Sequence, residues 1–267
     1  MRTSMAFPIR FWSILLTFLL IYQFSTEASA DWCKYEKEFD LTLDLSSSEV
    51  LVINAAAGDL EVRGVAGTDK AVIHGKLCVS KKNWLDEAEI QTVSGARAEI
   101  NVKLPDTSGG WSFLGNNYAL LDLEIELPQD LALEVKDSSG DAVFKNIGAI
   151  NLQDSSGDIE IENATGPVSV KDSSGDINIT NISNSVTVLD SSGDINVDHV
   201  AGNFTVIADS SGDINATDID GTVLVKKDSS GDITVKRIGG DFRVLADGSG
   251  SIRSHDVQGK IQTPNDG

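Results

Sequence analysis

Asp137-Ser138-Ser139-Gly140-Asp141 is the first of six identical five-residue runs, the others beginning at Asp154, Asp172, Asp190, Asp209 and Asp228. A degraded copy, Asp-Gly-Ser-Gly-Ser, begins at Asp247. Successive copies are 17, 18, 18, 19, 19 and 19 residues apart, too regular for chance and too short for a unit that buries its own core. Such a period marks stacked coils, each leaning on its neighbours.

What lies between the copies shows what is stacked. After each Gly-Asp come alternating apolar residues, as in Ile159/Ile161, Ile177/Ile179, Ile195/Val197 and Ile233/Val235. A third follows (Ala164, Ile182, Val200, Ile219, Ile238), and then a second pair: Val168/Val170, Val186/Val188, Phe204/Val206, Val223/Val225, Phe242/Val244. Period-two alternation of β-branched residues, broken by Gly, Asn and Asp, predicts short strands and turns. Length changes fall in the turns. The 17-residue step is short between Ile147 and Ile150, and Ile207-Ala208 precedes Asp209 where Lys171 alone precedes Asp172. The fold class expected is therefore all-β, a single-chain parallel β-solenoid with 17–19-residue coils, right-handed by default. Parallel strands about 4.8 Å apart would make the six full coils roughly 30 Å long.

Residues 1–30 read as a signal peptide: Arg2 and Arg10 precede the apolar run Phe11–Phe24, and Ala28-Ser29-Ala30 supplies the small residues of a cleavage site. The alternative, an uncleaved anchor, is short of the roughly 20 residues that span a bilayer. Cys33 has no lipobox ahead of it. The chain carries a net charge of −20; removing Arg2, Arg10 and Glu27 leaves 19 basic against 40 acidic residues, a net charge of −21. That field opposes nucleic acid and anionic lipid, and favours cations and basic partners. Residues 31–267 are expected to form one elongated domain, located in the periplasm or at the cell surface.

Cys33 and Cys78, in an oxidising compartment, are most simply a disulfide; the alternative, a metal pair, has only His74 as a further ligand. Residues 31–136 read as a less regular version of the same architecture. Ala57-Gly58-Asp59-Leu60 copies the repeat with Ala for Ser, strands are expected at Phe39–Leu45, Ala71–Val79, Ala98–Leu104 and Leu121–Leu127, and Lys81–Ala88 reads as one helical turn or a loop. Thr107–Asn117 reads as a long exposed insertion. Loops on a rigid scaffold often carry function, so Trp84, Trp111 and Phe113 are aromatic candidates for ligand contact; the alternative is that they close the open apolar end of the solenoid. From Ser251 and Ser254 onward, polar residues replace the second Asp and an inward apolar residue, as a C-terminal cap would require.

The N-terminal leader, Gly58-Asp59-Leu60-Glu61-Val62-Arg63-Gly64-Val65, the strand Leu123-Glu124-Ile125-Glu126-Leu127-Pro128 and the iterated Asp-Ser-Ser-Gly-Asp-Ile together resemble the bacterial β-strand-repeat "putative adhesin" family, a domain of unknown function. The likeness is tight over residues 133–257 and looser over 39–132. It implies an exported bacterial β-solenoid and brings no catalytic residues with it.

Stacking aligns the first Asp of each copy in one column and the second in another. Carboxylates about 5 Å apart repel by roughly 0.8 kcal/mol in water and about 3 kcal/mol at an effective dielectric near 20. Two devices answer this. Asp accepts turn N–H groups, Ser hydroxyls bond along the ladder and Gly takes the φ > 0 position; or calcium bridges successive turns, with Asp154, Asp158, Asp172, Asp176, Asp190 and Asp194 as ligands. Otherwise no cofactor is expected. His74, His199 and His255 are scattered, and no nucleophile elbow, phosphate loop or Cys-x-x-Cys is present. The function expected is an exported, non-catalytic, adhesin-like binding or structural module of the bacterial envelope, with an unnamed surface ligand as partner. The alternatives are a calcium-binding repeat protein and a carbohydrate-active β-helix enzyme, the latter requiring carboxylates and aromatics of residues 84–126 to converge on a cleft.

Overall fold

The computed structural model describes residues 33–107 and 117–264; the leader, Trp111 and Phe113 lie outside the described residues. From Ala132 onward the chain repeats one unit, a strand in one sheet followed by a strand in another. The pairs are β8 (Ala132–Lys136) with β9 (Ala142–Lys145), β10 (Ile150–Gln153) with β11 (Ile159–Glu162), and β12 (Val168–Lys171) with β13 (Ile177–Ile182). They continue as β14 (Val186–Leu189) with β15 (Ile195–Val200), β16 (Phe204–Ala208) with β17 (Ile214–Ile219), and β18 (Val223–Val225) with β19 (Ile233–Ile238). β20 (Phe242–Val244), β21 (Ile252–Val257) and β22 (Ile261–Gln262) close the series.

Each strand pairs in parallel with its counterpart one coil away, so Ile159, Ile177, Ile195, Ile214 and Ile233 stand in one column. All five are fully buried, as are the partners that face them from the second sheet, Val186, Phe204 and Val223 among them. The protein is a parallel β-solenoid of two facing sheets. Asp-Ser-Ser-Gly-Asp makes the turn at one edge, and the third apolar residue of each coil makes the corner at the other. The extra residue of the longer coils is absorbed as a bulge: Val188 pairs with Val206 but Leu189 with Ala208, which skips Ile207.

The N-terminal region, expected as a less regular version of the same parallel coils, contains antiparallel strands as well. Its elements are β1 (Tyr35–Asp44), β2 (Val50–Asn54), β3 (Leu60–Val65), β4 (Lys70–Val79), α1 (Trp84–Glu87), β5 (Glu89–Val93), β6 (Arg97–Lys103) and β7 (Ala119–Pro128). β4 runs antiparallel to both β1 and β7, and β5 antiparallel to β6. Moreover β2 lies between β6 and β8, and β3 between β7 and β9. The first coil in sequence is thus inserted between the two that follow it. Alternation dictates which face of a strand is buried but not which way the strand runs.

Candidate functional site

The two Asp columns of the repeat differ in kind. The second column is a surface ladder. The backbone N–H of Asp158 donates to Oδ1 of Asp141 at 3.0 Å, Asp176 to Asp158 at 2.9 Å, Asp194 to Asp176 at 2.9 Å, and Asp213 to Asp194 at 2.8 Å. The ladder begins earlier than the repeat, because Asp59 donates to Asp122 and Asp141 to Asp59. Asp141, Asp158, Asp176, Asp194 and Asp213 are exposed. One oxygen of each is thus fixed on an amide while the group as a whole faces water. At the end of the row Arg253 pairs with Asp232 at 2.6 Å and holds its carboxyl below the usual range.

The first column points inward. Asp137, Asp154, Asp172, Asp190, Asp209 and Asp228 are only 1–6 % exposed. In the first four, one oxygen accepts the N–H of the following serine at 2.6–2.7 Å. The other oxygen has no hydrogen-bond partner among the described residues and almost no contact with solvent. The cause is parity. Leu133, Val135 and Asp137 are two residues apart, as are Val168, Val170 and Asp172, so the inward alternation of the first four copies runs on into the turn, whereas Asp209 and Asp228 follow Val206 and Val225 by three residues. Burial, with neighbouring carboxylates adding to it, pushes Asp137 up to about 7 and Asp154 and Asp209 up to about 6; Asp172, Asp190 and Asp228 also move upward. Serine does what was expected of it: Ser192 Oγ donates to the Ser173 carbonyl at 3.2 Å and Ser230 Oγ to that of Ser210 at 3.0 Å.

The opposite corner carries a signal that sequence reasoning missed. One non-glycine residue per coil is left-handed there: Asn146, Asn163, Asn181, His199, Asp218, Arg237 and Asp256, all with φ of 52–59°. Three consecutive asparagines just before the third apolar residue are the trace of this, since Asn tolerates that conformation best among residues with a side chain. The first two asparagines are bonded coil to coil, Asn163 Nδ2 donating to Asn146 Oδ1 at 3.0 Å. The later residues replace it with charge. His199 Nδ1 is 2.9 Å from Asp198 and Nε2 is 3.6 Å from Asp218, while Arg237 holds both oxygens of Asp218. Asp198, His199 and Asp218 bring their ligand atoms within 4.8 Å of one another, as a metal would require, but Arg237 already neutralises Asp218. Shallow grooves of about 530 and 450 Å³ run along this corner.

At the N-terminal end Cys33 and Cys78 are disulfide-bonded, with Cα atoms 5.5 Å apart. Trp84 is 5 % exposed and packs in the core, with the Lys81 ammonium over its ring. Of the carboxylates in residues 84–126, Asp122 and Glu124 line a depression of about 330 Å³ with Glu38, Asp40, His74 and Lys76. His74 there is occupied by Asp40 at 2.6 Å. No described helix is long and apolar enough to cross a membrane.

The model of one protein family, Toastrack DUF4097, matches residues 98–263. The chain belongs to that family. The match opens in β6 and runs to the last strand, so the Toastrack region holds all the regular coils, while the inserted coil β2–β3 precedes it in sequence. Among solved structures, a "putative adhesin" from Bacteroides fragilis is similar at 13% identity and a TM-score of 0.42, over 85% of this chain and 97% of that one. A "putative cell adhesion protein" from Clostridium sporogenes is similar at 17% identity and 0.34, over 86% and 99%. A "putative lipid binding protein" from Parabacteroides distasonis is similar at 19% identity and 0.37, over 84% and 96%. No curated protein matches this Toastrack chain.

Proposed function

We propose that this Toastrack protein is an exported, non-catalytic binding module of the cell envelope that displays a rigid acidic row to a cationic ligand. The observation that carries this is the surface ladder. Five successive repeat carboxylates are exposed, and each has one oxygen fixed by the backbone of the next coil. Between residues 137 and 225 the chain has fifteen Asp and Glu against two Lys and no Arg, so little on the shaft competes for that row. A row with the spacing of stacked strands, about 4.8 Å, suits a repeating polycation such as an amine-bearing polysaccharide or a basic segment of an envelope protein. Export is supported by the leader pattern of residues 1–30 and by a disulfide just beyond it.

Binding of residues 31–267 to an aminated and to a carboxylated polysaccharide at low and high salt tests the reading. The aminated polymer should bind, weakening steeply with salt, and Asp158→Asn/Asp176→Asn/Asp194→Asn should lose about tenfold in affinity with an unchanged fold. Equal binding to both polymers, or full affinity in the triple variant, would sink it. Export is checked by the mass of the envelope-associated protein, expected to begin at Asp31.

A further inference from the structure

We propose that the interior column of Asp137, Asp154, Asp172, Asp190, Asp209 and Asp228 is a proton-binding site, its carboxyls held as neutral acids in mildly acidic surroundings and their ionisation loosening the turn edge of the solenoid. The geometry leaves little else. The six groups lie one above another at the spacing of parallel strands, almost wholly buried, and each has at least one solvent-shielded oxygen with no hydrogen-bond partner among the described residues. Among the described residues the charged groups that shift them are other carboxylates: Asp59, Asp158, Asp176, Asp213, Asp247 and members of the column itself. Lys136, Lys171 and Lys227, each one residue before a column member, are exposed and of opposite parity. Buried like charges with no counter-ion cannot all ionise. Calcium would need six to eight oxygens at about 2.3–2.6 Å, whereas five of these carboxyls already spend one oxygen on a serine amide. A proton needs no cavity.

The sign follows from the direction of the shifts. Folded-state values of about 7 for Asp137 and about 6 for Asp154 and Asp209 stand above the ordinary 3.8, so the folded protein holds protons that the unfolded chain has released. The stability they confer is complete below about pH 4 and is lost as pH rises through 6 to 7. Asp218 and Asp232, lowered by Arg237 and Arg253, work in the opposite sense but only below the ordinary carboxylate range.

Urea unfolding of residues 31–267 between pH 5.5 and 8 measures this. The unfolding constant should rise with pH, by up to about tenfold per pH unit for each proton released. Asp172→Asn/Asp190→Asn replaces two column acids by neutral amides of the same shape, able to bond coil to coil as Asn163 and Asn146 do at 3.0 Å. It should be more stable than the parent at pH 8 and show a flatter pH dependence. The exposed pair Asp130→Asn/Asp220→Asn, away from the column, should leave that dependence unchanged. Independently of any variant, the infrared C=O stretch of protonated carboxyl should be present in the parent at pH 5.5 and fade by pH 8. Greater stability at pH 8 than at pH 5.5, an interior Asn pair less stable than the parent at pH 8, absence of the protonated band, or calcium at pH 8 reproducing the effect of acid would each overturn the proposal.

Discussion

A methyl group on Gly175 would lie 1.9 Å from the carbonyl oxygen of Gly157, at a φ of +129° that side chains rarely adopt. The turn can stack at strand spacing only because that position is bare. Gly175→Ala is therefore expected to cost about 3 kcal/mol or more, read as a lowered urea midpoint. Burial ranks the neighbouring positions. Ile195→Asp places an unpaired carboxylate at a fully buried site in the isoleucine column and should cost about 4 kcal/mol or abolish folding. Ser192→Ala removes one exposed hydrogen bond to Ser173 and should cost less than about 1 kcal/mol. Equal thermal melts for the two would contradict the register. The inward column of Ile159, Ile177 and Ile195 was legible in the sequence because alternation alone sets it. The burial of Asp172 was legible too, from its spacing to Val168 and Val170, but its composition argued the other way: Asp beside Ser and Gly reads as a wet turn.

At the scale of elements, the left-handed corner is the feature whose chemistry changes most from coil to coil. Asn181 has φ of 58°, so Asn181→Gly should change stability by less than about 1 kcal/mol, whereas the β-branched Asn181→Val should cost about 1–2 kcal/mol. Calorimetry on the two variants separates them. The disulfide from Cys33 to Cys78 spans 45 residues and fastens the start of β1 to β4. Reducing it should cost about 2–4 kcal/mol, and hydrogen exchange should show the loss in β1 and β4 before the regular coils. The pairing of the cysteines was readable from their number and the leader. The antiparallel β1–β4–β7 arrangement was not, because these ten-residue strands alternate just as parallel ones do and their partners lie far apart in sequence.

For the whole molecule, stability is a sum over coils and their contacts with neighbours. Calcium integral to that sum would stabilise the fold by about 2.7 kcal/mol at a hundredfold excess over Kd; millimolar calcium is instead expected to shift the melting temperature no more than magnesium does at equal ionic strength. A strong rise with calcium and its collapse on chelation would contradict this. Repeat period and turn chemistry made the shaft readable from sequence, since each coil repeats the same local choices. The interleaving of the first coil was hidden, because nothing in the apolar run of β2 or the alternation of β3 says which coils they join. That interleaving sets how the rod would bear tension. At one tip β21 and β22 are each paired on one side only, so pulling there strips a single coil without disturbing the next. At the other, β1 is zipped to β4 through ten residue pairs and bolted by the disulfide, and the first coil is wedged between two others. Stretched between its ends in a force spectrometer, the protein should pay out from the C-terminal tip in even steps, each freeing one coil of roughly 60 Å of chain, while the N-terminal end stays closed until last.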